Sequence, residues 1–300
     1  RIGQLAGDEY FWPLFATVHA IIVSIDRMKS LTMNRLAFSS ASFAVLFSLP
    51  VDAAALQAHR AYYDLTAKSI EAGNNITTVS GKLAYEITGS TCEGYAVSYR
   101  VANRIVFTEG GPQVSDTQLT TWESGDGLEF NLTQKQFIDS KLSSESRIKV
   151  TKDTETLPGQ GEITTGKPRQ FTIPGAAIFP TRFQEKLIKA ASKGESRDVS
   201  LVYEGSEEEK PLRVISFIGS KRPESGIPEK IGGEMSKAPV WPMSVSYYLD
   251  EAKSDAQPVY QASFLMLENG ITTDLVLDYG TYVLDGKLTK LELLKDSKCP

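Results

Sequence analysis

The chain has 300 residues, 41% of them hydrophobic, with 32 basic against 37 acidic side chains and a formal net charge of −5. That mild acidity excludes a nucleic-acid partner, which needs a basic face. Beyond the first 55 residues no stretch is long and apolar enough to span a membrane as a helix.

The first elements in chain order read as processing segments. From Met28 the text runs MKSLTMNRLAFSSASFAVLFSLPVDAAALQAHRAYY. Lys29 and Arg35 make a short positive region, Leu36 to Leu49 is mostly apolar or small, Pro50 breaks the run, and Val51-Asp52-Ala53-Ala54-Ala55 offers small residues to a signal peptidase. This three-part grammar predicts a secretory signal peptide over 33–55, or from Met28, with cleavage after Ala53 or Ala55. An N-terminal membrane anchor is the alternative, but the apolar run is about 14 residues where a span needs roughly 20. Residues 1–32 read as an upstream extension of the gene model. The rival is a second hydrophobic segment in YFWPLFATVHAIIVSID, which is short and interrupted by Pro13 and His19. Removing residues 1–55 takes away four charges of each sign and leaves −5. The cysteine that a lipoprotein needs just after its cleavage site is absent. The mature chain, 56–300, is expected to be soluble, in a periplasm or outside the cell.

Strand signals then repeat to the end. AHRAYYDLTA, GKLAYEIT, YAVSYRVANRIVFTE, DTQLTTWES, GLEFNLTQ, RIKVTK, DVSLVYEG, LRVISFIG, MSVSYYLD, PVYQASFLML, TDLVLDYG and KLTKLELL alternate apolar with polar residues between turn-forming ones. Asn269-Gly270 and Asp285-Gly286 predict two tight hairpins, because both pairs accept positive φ at the central positions. FPTRFQEKLIKAASKGES breaks the β pattern. Thr181 stands where an N-cap belongs, Phe183, Leu187, Ile188 and Ala191 share a face, and Gly194 ends the run. A helix is expected over 182–193. SKRPESGIPEKIGGEMSKAPVW, from Ser220, reads as a long loop rather than a domain boundary. The fold class is therefore all-β: one domain over 56–300, an antiparallel curled sheet or barrel with a single amphipathic helix packed across an opening.

The chain holds two cysteines, Cys92 and Cys299. In an exported protein an even count with no spare thiol suits one disulfide, with buried free thiols as the alternative. A zinc pair would need two more ligands, and residues 56–300 hold a single histidine, His59. Neither a metal nor a cofactor is expected.

Chemistry-bearing motifs are few. GEITTGKP, Gly161 to Pro168, approaches a phosphate-binding loop but puts proline where the magnesium-binding hydroxyl belongs. A Ser-His-Asp triad would have to use His59, which sits in a strand-like run with no nucleophile elbow nearby. Glu207-Glu208-Glu209 reads as a solvated turn. Asn75-Ile76-Thr77 and Asn131-Leu132-Thr133 match the glycosylation sequon, a frequent chance match. No catalytic residue is assigned, although glycosidase carboxylates pair in space rather than in sequence.

HRAYYDL, the Cys92-Glu93-Gly94-Tyr95 turn, FPTRFQEKLIKAASKGE, VYEGS, WPMSVSYY, LENGITTDLVLDYG and the final cysteine stand in the same order as in the EipB cell-envelope-integrity family, which the chain resembles over nearly all of 57–299. The family consists of periplasmic proteins of Alphaproteobacteria, long described as a domain of unknown function. The resemblance implies a spiral-like β-barrel of about fourteen strands, somewhat like periplasmic lipoprotein carriers. It also implies a Cys92–Cys299 disulfide and a role in envelope integrity without a known reaction. Residues 1–32 have no counterpart in it. Together with the residues it favours a non-enzymatic protein that binds a lipid-like or peptide ligand, or another envelope protein, in a barrel concavity. A lipid or lipoprotein carrier and an envelope glycan or peptide hydrolase are the alternatives.

Overall fold

The computed structural model describes residues 55–206, 208–249, 256–295 and 299. The expected upstream extension, and the signal peptide up to residue 54, lie outside the described residues.

Long alternating segments build the first half. They are β1 (His59–Ile70), β2 (Ile76–Ser90), β3 (Gly94–Phe107), β4 (Pro112–Glu123), β5 (Glu129–Ile138) and β6 (Lys141–Thr151). The short β7 (Gly159–Ile163), β8 (Arg169–Ile173) and β9 (Ala177–Ile178) follow, then α1 (Pro180–Ser192). The second half is β10 (Arg197–Val202), β11 (Leu212–Ile218), a one-turn α2 (Glu229–Gly232), a 3₁₀ turn (Gly233–Lys237), β12 (Val240–Leu249), β13 (Tyr260–Leu267), β14 (Thr272–Asp278) and β15 (Tyr282–Leu293).

All fifteen strands of the described residues join one sheet. Its order runs from β8 to β1, then from β15 back to β9. The first strand therefore pairs with the last, from His59↔Leu293 to Ile70↔Tyr282. This long-range pairing joins the two meanders, and every other pair in the sheet joins strands consecutive in sequence, antiparallel except for the β9–β10 contact. That contact is parallel and two residues long, Ala177↔Leu201 and Ile178↔Val202, so the barrel is mixed rather than purely antiparallel. The spacing missed β7, β8 and β9 because GQGEI and RQFTI are too short, and too rich in glycine and polar residues, to alternate visibly.

The sheet curls into a nearly closed barrel, yet β8 and β9 share no backbone ladder. Side chains close the seam. Phe130, Leu132, Ile148, Val150, Ile163 and Ile173 from one side meet Phe179 and Tyr203 from the other. The Phe130 and Phe179 rings stack at 5.1 Å, and both present to Tyr203 edge-on at 5.9 and 6.4 Å. Buried Lys152 adds a polar clasp, its Nζ donating to the carbonyls of Glu155, Gly175 and Ala177 at 2.7–3.0 Å. Arg169 on β8 pairs with Glu208 and Glu209, so the acidic turn is an ion-paired part of the seam, not a merely solvated loop.

Three further expectations are corrected. Asp285-Gly286 is no hairpin, since both residues lie within continuous β15, paired with Thr66 and Leu65 of β1. Gly286 is needed for closeness, not for a turn: a Cβ there would stand 2.9 Å from Leu275 Cβ and 3.1 Å from Leu65 Cδ2. Gly286→Ala should destabilise the fold by about 1–3 kcal/mol, the range for overpacking; a denaturant midpoint equal to that of the parent protein would contradict this. Asn269-Gly270 does turn the chain, but with three loop residues. The Gly270 N–H donates to Leu267 O, Leu267 N–H donates to Ile271 O, and of the pair only Gly270 has positive φ, 87°. This is the type I turn with a left-handed glycine rather than the two-residue form. The stretch from Ser220 is not all loop, because it contains α2 and the 3₁₀ turn, and Trp241 already belongs to β12.

The helix itself starts two residues earlier than expected. Phe179 is the N-cap residue and Pro180 the first helical one, so Thr181 lies inside the first turn. Pro180 suits that place, having no N–H to leave unpaired.

Candidate functional site

Two inner regions of the barrel concentrate chemistry. The first is the end covered by α1. Gln184 donates to Gly270 O at 2.8 Å, Arg182 to Gly125 O at 3.2 Å, and Lys186 pairs with Asp198 of β10 at 2.7 Å. Phe183, Leu187, Ile188 and Ala191 are buried beneath it. No side chain of its own caps the helix. The carboxylate of Glu123, the last residue of β4, does so from another element. It accepts the Thr181 N–H at 2.8 Å and the Thr181 hydroxyl, and the Arg182 N–H bonds to it as well. A helix N-terminus with its free N–H groups is where a carboxylate is favoured.

Glu123 is 1% exposed, and burial pushes its carboxyl from 4.5 up to about 7, against the opposing pull of the Thr181 bonds. The folded protein thus holds this proton more tightly than the unfolded chain. The resulting stability is fully present below the unfolded value near 4.5 and is lost as pH rises through about 7. Glu123→Gln stays neutral and keeps an acceptor for the helix. It should remove this slope and leave the variant at least as stable as the parent at pH 8, a difference of up to about 3 kcal/mol. Urea unfolding at pH 5 and pH 8 checks it, and a variant with the parent's slope would refute it.

The second region is the end opposite α1, lined on one side by tyrosines. Tyr247 and Tyr260 face each other across β12 and β13. Tyr279 follows β14, and Tyr282 opens β15. Their rings form a chain with centroid spacings of 5.6, 5.2 and 5.2 Å. Tyr99 of β3 reaches this chain from across the lumen and interacts with Tyr279 and Tyr282. Tyr282 is buried, and the other four are part-buried. Burial pushes the Tyr99 hydroxyl up to about 12 and those of Tyr260 and Tyr279 well above the ordinary value, with neighbouring phenols adding to the shift. All five are neutral donors and acceptors at physiological pH.

The facing wall is polar and uncharged. Tyr99 pairs with Leu119, Leu119 with Gln134, and Gln134 with Ser146. One rung nearer the tyrosine end, Val101, Thr117, Gln136 and Ser144 follow in the same lateral order, and beyond them Asn103 pairs with Ser115. Alternation keeps each of these on the lumen face, with the core residues Val101, Ile105, Phe130 and Leu132. Asn103 Oδ1 and Ser146 Oγ are buried with no hydrogen-bond partner. Glu204, past β10, acts electrostatically on Tyr247 and Tyr260 and accepts from Ser206.

The residues singled out in the sequence lie elsewhere. Cys92, in the β2–β3 turn, is bonded to Cys299 beyond β15, with a Cα–Cα distance of 5.6 Å. His59 is buried, its Nδ1 2.7 Å from Gln57 O and its ring 5.5 Å from Tyr85, and burial lowers its pKa below 6.5. A neutral imidazole held on a carbonyl is a packed strand residue. Gly161–Pro168 covers the end of β7 and the turn into antiparallel β8, with no helix to cradle a phosphate. The described residues contain no His/Cys/Asp/Glu cluster able to hold a metal. None of their helices is long and apolar enough to cross a membrane. The tyrosine end was missed because its residues come from separate strands, where each looks like an ordinary strand aromatic. The spacing of tyrosines at the ends of MSVSYYLD, PVYQ, LDYG and GTYV was the available signal.

Comparison with known proteins places this architecture. The sequence profile described as EipB-like matches residues 50–295. The chain is 33% identical over 242 residues to the cell envelope integrity protein EipB of Brucella abortus (strain 2308), covering 80% of this chain and 85% of that protein. The crystal structure of a β-barrel-like protein of a domain of unknown function from Brucella abortus superposes with a TM-score of 0.76 at 32% identity. That match covers 80% of this chain and 99% of the other.

Proposed function

The chain belongs to the EipB-like family, and from that premise we propose that it is a non-enzymatic periplasmic protein that supports cell-envelope integrity by holding a ligand in the tyrosine-lined end of its barrel. The observation that carries the reading is the lumen itself. Five part-buried or buried tyrosines converge from β3 and the β12–β15 wall, and concave sites with aromatic walls and a few polar groups are where ligands lodge. Support for a binding role over a hydrolytic one is that Glu123 and His59, both buried, are engaged in helix capping and a backbone hydrogen bond. A strict acyl-chain carrier would be expected to line its lumen with aliphatic groups, and Thr117, Gln134 and Gln136 do not fit that.

Complementation of a deletion strain under detergent stress tests the reading. His59→Gln should restore growth fully. Tyr260→Ala combined with Tyr279→Ala should fail to restore it, even where the protein accumulates in the periplasmic fraction with a cooperative melt. Full rescue by the folded tyrosine variant, or loss of rescue by a stable His59→Gln, would overturn the proposal.

A further inference from the structure

We propose that the tyrosine-lined end takes an uncharged glycan, a short run of neutral sugar rings, rather than an acyl chain or an extended peptide. This deepens the binding role proposed above and rests on it.

The two walls carry the argument together. A sugar ring has one flat face of C–H groups and an equatorial rim of hydroxyls. The first needs an aromatic face, and the second needs short-range donors and acceptors without charge. Tyr260 and Tyr279, 5.2 Å apart and tilted by 47°, supply adjoining faces. Their hydroxyls stay neutral, so they add hydrogen bonds at the same place. Across the lumen Tyr99 touches the tyrosine chain and stands in the same lateral row as Gln134. Beyond Tyr99 the lumen face continues into side-chain amides and hydroxyls, Thr117 and Ser115 one strand away and Gln134 and Gln136 two strands away, toward which the rim of a ring seated on the tyrosines would project. Asn103 Oδ1 and Ser146 Oγ belong to this wall, are buried, and have no partner. Unpaired buried polar atoms are costly; Asn103 Oδ1 packs beside Gly81, so a hydroxyl-rich ligand would satisfy these atoms only by drawing the two side chains round toward the lumen.

The alternatives fit less well. An acyl chain would pack on the tyrosine rings but would strand the amide wall unpaired and gain nothing from the phenol hydroxyls. An extended peptide is commonly recognised by adding a strand to a free sheet edge, whereas β3–β6 have their backbone committed on both sides. An anionic ligand would want a cationic partner, whereas these four lumen residues are neutral and the charge acting on Tyr247 and Tyr260 is the carboxylate of Glu204.

Isothermal titration of the purified protein decides the matter. The probes are tetra-N-acetylchitotetraose, maltotetraose and isomaltotetraose for neutral sugar rings, palmitate for acyl chains, and a terminally blocked Gly-Ser hexapeptide. Saturable binding of at least one tetrasaccharide at millimolar concentration or below is expected. Tyr260→Ala should weaken it about tenfold or more. Gln136→Leu should weaken the sugar while leaving palmitate unchanged or tighter. Tyr260→Phe, which keeps the ring face and the packing, should lie between parent and Tyr260→Ala, and keeps the test sound if the alanine variant does not fold. Binding of palmitate or the hexapeptide with no tetrasaccharide bound overturns the glycan assignment while the binding role stands. No binding by any probe overturns the glycan assignment, and the role falls separately only if the complementation result also fails. Sugar binding indifferent to Tyr260 and Gln136 places the site elsewhere and overturns the proposal.

Discussion

Phe179→Ala should lower the unfolding free energy by about 3–5 kcal/mol, the range for removing a fully buried phenylalanine. The expectation is at the high end because of where the ring sits. The fifteen-stranded sheet ends in β8 and β9, and no ladder joins them. Closure there rests on Phe179 stacked against Phe130 and set edge-on to Tyr203, all three 0% exposed. Truncation removes aromatic contacts and leaves a cavity that backbone on either side is too constrained to fill. Phe130→Ala should cost a similar amount, and the two together less than their sum, because each change alone breaks the same stack. Urea unfolding of the four proteins gives the cycle. A loss below about 1 kcal/mol for Phe179→Ala, or strict additivity, would mean that the seam is held by something other than this cluster.

Cys92→Ser and Cys299→Ser should each lower the melting temperature by several degrees, since removing a native disulfide costs about 2–5 kcal/mol. The bridge joins residues 207 apart in sequence. In the chain-entropy picture that separation corresponds to roughly 5 kcal/mol before any native strain is counted. Its position explains what it does. In the sheet β15 lies beside β1 and β1 beside β2, so a bond from the β2–β3 turn to the chain beyond β15 staples three strands across the strand pair that joins the two meanders. It also anchors a chain end that would otherwise fray. The double variant should melt like either single one, because each substitution already opens the same bond. Non-reducing peptide mapping of the isolated protein should recover the two cysteine peptides joined. Free thiols at both positions, or a double variant that melts like the parent, would contradict the assignment.

Much of the fold was written locally. HRAYYDL, GKLAYEIT and YAVSYRVANRIVF alternate so regularly that each strand and its buried face follow from period-two spacing alone. The helix was legible from Phe183, Leu187, Ile188 and Ala191 on one face. Its start was misplaced because the capping group is not in the helical segment at all: Thr181 has the right chemistry for an N-cap, but a carboxylate 58 residues earlier does the capping. Asp285-Gly286 misled for a related reason. A glycine after aspartate serves a tight turn or a close approach equally well, and only the positions of Leu65 and Leu275 distinguish the two. The candidate site was the least legible part, because single strand aromatics and single strand glutamines carry no signal of facing one another.

By itself, then, the order of residues determined what depends on near neighbours: strand and helix periods, the β13–β14 turn around Asn269-Gly270, the all-β class and a pair of cysteines with no third. The tertiary structure alone decided which strands became neighbours across the chain ends and where a two-residue strand pairs. It also brought Glu123 under the helix with its carboxyl raised to about 7, and Tyr99 up to the tyrosines of β12–β15. The physical reason is range. Backbone stereochemistry and side-chain alternation act over a few residues and are repeated in every strand. Burial, desolvation and the meeting of distant side chains are properties of the closed barrel and exist only once β1 has paired with β15.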